Sequence, residues 1–372
     1  MISPGPRLFF RIFALSCSLF ASAVAVAFGD TVDTSVRTVT KLADGIYTIR
    51  HKDAPDTFPQ GNTTVIVGER EALVVDSCYL PSSAEEDIAQ IRHWTSNPVH
   101  FLLNTHWHYD HTMGNAAYRD AFPGLVVVAQ TETRKEIAGY NSYWFEHFPG
   151  RAERMQKLID SGKNTEGKAL TPNEIQELKT AVGGIQPVWA EFKLLSARLA
   201  ELTPDVTFER EMIIDLGNRE VQLKHLGRGN TRGDALVYLP KEKILITGDL
   251  LDHPVPYFFG GYPEEQIATL QSMSLLDAQA IVPGHGDVLH DKVYLQQEID
   301  FISAVVAQVN KAIYRFGSGP DKFDTISEEV SKNLNVDALR NQFAGEDKNN
   351  RDFFNETFDG LIRAAHAESW GK

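Results

Sequence analysis

The sequence predicts an α/β fold carrying extra helices. Strand-like runs alternate with helical patterns from Arg37 to Gly286. Beyond that point the apolar spacing is helical alone. The chain has 372 residues, 42% of them hydrophobic, enough to bury one large core with additions.

Taken in order, the chain opens on a secretory pattern. Arg7 and Arg11 precede a run of apolar or small residues from Ile12 to Ala27, which ends in Ala25-Val26-Ala27, a small-x-small cleavage pattern. Residues 1–27 therefore read as a signal peptide, and the mature protein is expected to be periplasmic or secreted. A retained anchor would have a similar apolar length, but the polar Gly29-Asp30-Thr31 that follows favours cleavage and no stable membrane association afterwards. Removal of the signal leaves Cys78 as the only thiol, so no intramolecular disulfide is expected. A small buried hydrophobe is its default role.

Strands are expected at Arg37–Leu42, Gly45–Arg50, Thr63–Val67 and Ala72–Asp76, with Gly45 turning the first hairpin. Ala84–Trp94 has helical spacing, Val99–Asn104 reads as a buried strand, and Leu125–Ala129 as another, after which Thr131 opens a helix. Residues 146–203 are rich in Lys, Glu, Ala and Leu and read as a helical insertion. Thr171-Pro172-Asn173-Glu174 is a capping box with Pro at the first helical position. Gly183-Gly184 is expected to stop that helix, and Val188–Leu202 to form a second. The insertion would either add core or wall a cleft. Strands resume at Val206–Phe208, Met212–Ile214, Val221–His225, Ala235–Tyr238 and Lys243–Thr247. A C-terminal extension, residues 293–372, is helical at Val293–Tyr314, near Ser327–Asn335 and at Phe353–Ser369.

The chemistry is concentrated after the Val99–Asn104 strand. His106-Trp107-His108-Tyr109-Asp110-His111 places three imidazoles and one carboxylate within six positions. These are the usual nitrogen and oxygen ligands of a borderline divalent metal. A loop at the end of a strand is also where a rigid scaffold holds reactive groups. In a tight loop His106 and His108 can turn one way and Asp110 and His111 another, which suits two adjacent metal positions. Thr112–Asn115 then reads as a turn. The net charge of −14 and the lack of a basic stretch with interleaved aromatics disfavour nucleic acid as a partner, leaving a small-molecule substrate.

The motif resembles the His-x-His-x-Asp-His signature of the metallo-β-lactamase superfamily. Ile244–Asp249 is similar to that family's strand ending in Gly-Asp, Ala280–Gly286 to its Pro-Gly-His-Gly strand, and Ala72–Asp76 to an early strand ending in Asp near the site. The resemblance spans about residues 36–292 and implies a four-layer αββα sandwich with a metal site at one edge. It implies His106, His108, Asp110, His111, Asp249 and His285 as ligands of one or two zinc ions, with iron or manganese left open. One usual ligand differs. The His of a Gly-His-Thr-type stretch is replaced by Asn230, a poorer zinc ligand, which would be a weak ligand or a donor to an oxyanion. His225 could compensate only if its strand brought it within reach, and a solvent-facing edge position is the plainer expectation.

The implied reaction is metal-assisted hydrolysis of a small ester, lactone, thioester or β-lactam-like amide, with Asp110 orienting the water and managing its proton. Asp76, Thr105, Asn115 and Gly284 are expected to support the ligands. His253, Tyr257 and Phe258 follow the Asp249 strand and are candidate pocket residues. Two departures weigh against a dedicated β-lactamase. The place of the Lys that grips the drug's carboxylate is taken by Asp252, and Asp249 stands where that branch usually has Cys. The alternatives are an iron-dependent redox enzyme on the same fold, which the Asn230 replacement disfavours, and a secreted metal-binding accessory protein with little turnover.

Overall fold

The computed structural model describes residues 31–33, 37–165 and 167–370. The expected signal peptide lies outside them. One sheet has eight strands in sequence order: β1 (Thr31–Asp33), β2 (Arg37–Ala43), β3 (Ile46–His51), β4 (Thr63–Val67), β5 (Ala72–Val75), β6 (Val99–Asn104), β7 (Val126–Gln130) and β8 (Val206–Phe208). Its first five strands are antiparallel. From β5 to β8 the pairing is parallel. Parallel neighbours need crossovers, and α1 (Pro81–Trp94) and α3 (Asn115–Ala121) provide the first two. The second sheet runs β13-β12-β11-β10-β9, formed by β9 (Glu211–Asp215), β10 (Glu220–Lys224), β11 (Leu236–Leu239), β12 (Ile244–Ile246) and β13 (Ala280–Val282).

Side-chain alternation sets the layers. Leu73, Val75 and Leu103 meet Val237, Ile246 and Val282 between the sheets. Their neighbours Ala72, Val74 and Leu102 point the other way, onto Ile88 and Ile91 of α1 and Tyr118 of α3. On the far side, Leu236, Leu245 and Ile281 pack under α7 (Pro263–Ser274), α8 (Val293–Phe316) and α11 (Lys348–Glu368). Strands buried on both faces read as continuous apolar runs, as Ala-Leu-Val-Val does here. The result is the expected αββα sandwich. Among the described residues no helix is long and apolar enough to cross a membrane.

The insertion lies in the long β7–β8 crossover, after α4 (Thr131–His147), as α5 (Arg151–Ser161) and α6 (Pro172–Leu195). The capping box forms at Thr171 and Glu174, but the expected break at Gly183-Gly184 does not. α6 continues through both glycines and through Pro187. An interior proline costs about 3 kcal/mol. It is offset because Ala181, Ile185, Val188, Phe192 and Leu195 share one buried face, mostly within an aromatic cluster that includes Phe145 and Phe148. Gly184 serves contact rather than termination: a Cβ there would stand 1.8 Å from the Pro55 carbonyl oxygen. The expected helix near Ser327–Asn335 is two, α9 (Phe323–Asn333) and α10 (Val336–Ala344), because Asn335 caps the second by accepting from Ala338 N at 3.1 Å.

Candidate metal centre

The site lies at one edge of the sandwich, where both sheets end. The β6 strand delivers His106, and a single helical turn, α2 (Tyr109–Thr112), carries Asp110 and His111. β12 runs into a 3-10 turn, Gly248–Leu250, that holds Asp249. His285 follows β13. The six residues converge, and Asp249 divides the four histidines between its two oxygens. Its Oδ2 lies 3.2 Å from His106 Nε2 and 3.7 Å from His108 Nδ1. Its Oδ1 lies 3.0 Å from His111 Nε2 and 3.8 Å from His285 Nε2. His285 Nε2 is also 2.9 Å from Asp110 Oδ2.

Supporting hydrogen bonds orient these rings. Asp76 accepts from Thr105 N and Thr105 Oγ1, both at 2.8 Å, and its Oδ2 is 2.9 Å from His111 Nδ1. His106 Nδ1 is 3.0 Å from Thr105 Oγ1. The hydroxyl already donates to Asp76, so it accepts from the ring and leaves His106 Nε2 facing the centre. Asn115 ties the loop down through Asn104, Ser77 and the Leu202 carbonyl. Two glycines permit the close approach: a Cβ on Gly61 would stand 2.4 Å from the His111 ring, and one on Gly284 2.0 Å from Asp249 Oδ1.

Electrostatics fit a cation-binding set. Burial penalises charge throughout, yet mutual attraction wins for most members. Asp249 is held well below the usual carboxylate range by His111, His106 and His285. Asp110 is lowered too, by His111 and His285, and His111 and His285 are raised by the facing carboxylates. His106 differs: burial pushes it down, towards the neutral form that a metal ligand requires. Its Nε2 and Asp249 Oδ1 are buried without a hydrogen-bond partner. Buried polar atoms normally have one, so each of these two orphans fits a ligand of a divalent ion. His106, His111 and Asp249 present ligand atoms within 4.8 Å of one another, as do Asp110, His111 and His285.

Asn230 lies beside the centre, its amide 3.4 Å from His108 Nδ1 and 3.5 Å from Asp249 Oδ2. It does not line the adjoining cavity. His225 is turned away, with Nδ1 2.7 Å from the Asp234 carbonyl oxygen.

That cavity encloses about 940 Å³. Its floor is formed by His108, Asp110, Asp249, Asp252 and His285, and its walls by aromatics including Phe58, Trp107, Tyr257, Phe259 and Phe353. His253 and Tyr257 line it as expected. Phe258 does not: its ring is 2% exposed and packs towards Phe301 of α8, because consecutive residues on an extended segment face opposite ways and Phe259 takes the cavity side. No residue of the 146–203 insertion lines the cavity. The C-terminal extension does, through Asn350 and Phe353 of α11. Sequence reasoning missed this wall, because nothing local in α11 marks it. Cys78 is buried, its Sγ 3.6 Å from the Leu80 carbonyl oxygen.

A sequence profile of the metallo-beta-lactamase superfamily matches residues 56–285, well over half the chain. The protein belongs to the metallo-β-lactamase superfamily. The solved structure of VMB-1 is similar in fold at 17% identity, covering 73% of this chain and 99% of that one with a TM-score of 0.50. DIM-1 metallo-beta-lactamase matches at 17% identity over 74% of this chain and 99% of its own, TM-score 0.47. A metallo-beta-lactamase from Pontibacter korlensis matches at 18% over 74% and 98%, TM-score 0.46. Such identities speak for the fold and not for the substrate. The superfamily consists mostly of metal-dependent hydrolases, and the His/Asp groupings of this member suit a metal ion.

Proposed function

We propose that this protein is a metal-dependent hydrolase of small esters, lactones, thioesters or β-lactam-like amides, with zinc as its first candidate metal. The observation that carries this reading is the division of four histidines, His106 and His108 against His111 and His285, between the two oxygens of Asp249, on the floor of an aromatic-walled cavity. His106 and His108, with Asn230 beside them, would hold one ion. Asp110, His111 and His285 would hold the other, and Asp249 would bridge. A divalent ion supplies a lowered pKa to a water and polarises a carbonyl oxygen.

The protein's own groups do the rest. Asp110, paired with His285 and facing the cavity, orients the attacking water and receives its proton. The aromatic walls exclude bulk water and take the apolar part of the substrate. With Asp252 at that point of the floor, no cation stands there to grip the carboxylate that β-lactams carry, so neutral esters and lactones are the first substrates to test. We also propose export, on the Arg7 to Ala27 pattern.

The test is turnover of a neutral ester and lactone panel by purified protein, before and after chelation and after zinc restoration. Chelator-sensitive activity that zinc restores, and that His285→Ala abolishes together with metal content, is the expected result. Activity indifferent to chelator, or full metal content in that variant, overturns the reading.

A further inference from the structure

Asp252 is the residue of this centre that the motif does not predict. After the Gly248–Leu250 turn the chain runs beside the His285 segment, where Asp252 and His285 form a single parallel bridge, and His253 N donates to the His285 carbonyl at 3.1 Å. From α8, Tyr294 Oη donates to the Asp252 carbonyl at 2.5 Å. The backbone is therefore held from both sides, and the side chain it directs inward is 4% exposed. Neither Asp252 Oδ1 nor Oδ2 has a hydrogen-bond partner. Asp249, Asp252 and His285 nevertheless present ligand atoms within 4.8 Å of one another. A buried carboxylate with nothing to accept from is costly whether charged or protonated, because the protonated form also needs an acceptor for its hydroxyl.

We propose that Asp252 is a further ligand of the second metal position. The inference rests on the reading that the His/Asp cluster holds metal, and it changes the chemistry of that reading. The second position then draws oxygen from Asp110, Asp249 and Asp252 and nitrogen from His111 and His285. The first has His106, His108 and the neutral Asn230. Four-coordinate tetrahedral binding is what zinc prefers in protein sites. A five-donor set with three carboxylates suits an ion that favours oxygen, such as Mn²⁺. The two positions therefore differ in preference: the second takes the oxygen-seeking ion and binds it more tightly than the first.

The experiment uses the full chain stripped of metal and titrated separately with Mn²⁺ and Zn²⁺, for wild type, Asp252→Asn and Asp252→Ala. The tighter Mn²⁺ affinity should fall about tenfold to a hundredfold in both variants, with a smaller loss for Zn²⁺. In Co²⁺-loaded protein the visible band should intensify as one ligand is lost. The metal-free variants should melt no lower than wild type, since an unpaired buried carboxylate has been removed, and this separates ligand loss from misfolding. Unchanged Mn²⁺ affinity and an unchanged Co²⁺ spectrum overturn the proposal and leave Asp252 as a buried acid without a ligand role. Wild type that binds no divalent ion overturns both this and the hydrolase reading, whereas metal retained equally by all three forms overturns this one alone.

Discussion

Asp76 Oδ2 lies 2.9 Å from His111 Nδ1, and the Asp76 backbone adopts φ +60 to bring it there. A non-glycine residue in that region is uncommon, and here it aims a carboxylate that fixes one tautomer of a neighbouring ring. With Nδ1–H donated to Asp76, His111 Nε2 is left to face Asp249 and Asp110. Asp76→Asn should weaken metal binding about tenfold to a hundredfold. Competition against a chromogenic chelator measures it, and wild-type affinity in the variant would show that Asp76 serves only the fold.

Asn230 gives a second prediction. Its amide lies beside His108 and Asp249 at the first position, which lacks a third imidazole. Wild type should fill the two positions unevenly at limiting zinc. Asn230→His should tighten the weaker one by at least about tenfold, the effect of a good ligand or ligand support, and bring binding to two equivalents. Isothermal titration decides it. Two equal, tight sites in wild type would show that the neutral amide is no handicap.

A pH effect follows from His51. Burial pulls its pKa down, but Asp87, 2.9 Å away, outweighs burial and raises it above 6.5. A base that gains affinity for its proton on folding stabilises the fold fully below its unfolded pKa, and that contribution is lost as pH rises through the folded value. The Tm of metal-free protein should therefore fall from about pH 6.5 upward, and His51→Gln should flatten this slope. Equal slopes in the two proteins would remove His51 from the account.

Gly360 of α11 packs against the loop that carries Tyr257, and a Cβ there would stand 1.8 Å from the Phe258 carbonyl oxygen. Gly360→Ala should push α11 away, with a loss of about 1–3 kcal/mol in stability. It should raise KM more than it lowers kcat, because it moves the cavity wall and not Asp110. Urea unfolding and steady-state kinetics check the two halves, and an unchanged KM would show that α11 does not shape the substrate site.

How legible the molecule was depended on the range of the interactions involved. The His106–His111 loop was readable because all its information lies within six residues, and β4, β6 and β8 begin and end where alternation and apolar runs place them. Thr112–Asn115 has the local composition of a turn, yet Asn115 opens α3, because its side chain is recruited by Asn104 and Leu202 rather than by local turn chemistry. Gly183-Gly184 looks like a helix stop to any local rule, and only the contact with Pro55 shows why α6 needs a glycine there. Phe258 and Phe259 are alike in sequence. Their division between core and cavity is set by α8 and α11, which come tens of residues later. The approach of Asp252 to His285 depends on two strand ends meeting, so the sequence offered only its oddity.

The divided ownership of the metal centre bears on how the chain acquires its shape. Four of the six motif residues lie at 106–111, while His285 follows His111 by 174 residues. Asn62 also reaches across, donating to the carbonyls of Pro283 and Gly286 at 3.0 Å. Such remote pairings are slow to form, because the chain must close a long loop before any contact rewards it. During synthesis, the His106–His111 loop emerges as a loose chelator well before its partners exist. An ion that meets it early can be held in the wrong geometry, so the yield of active protein on refolding should depend on whether metal is added before the two halves dock or after.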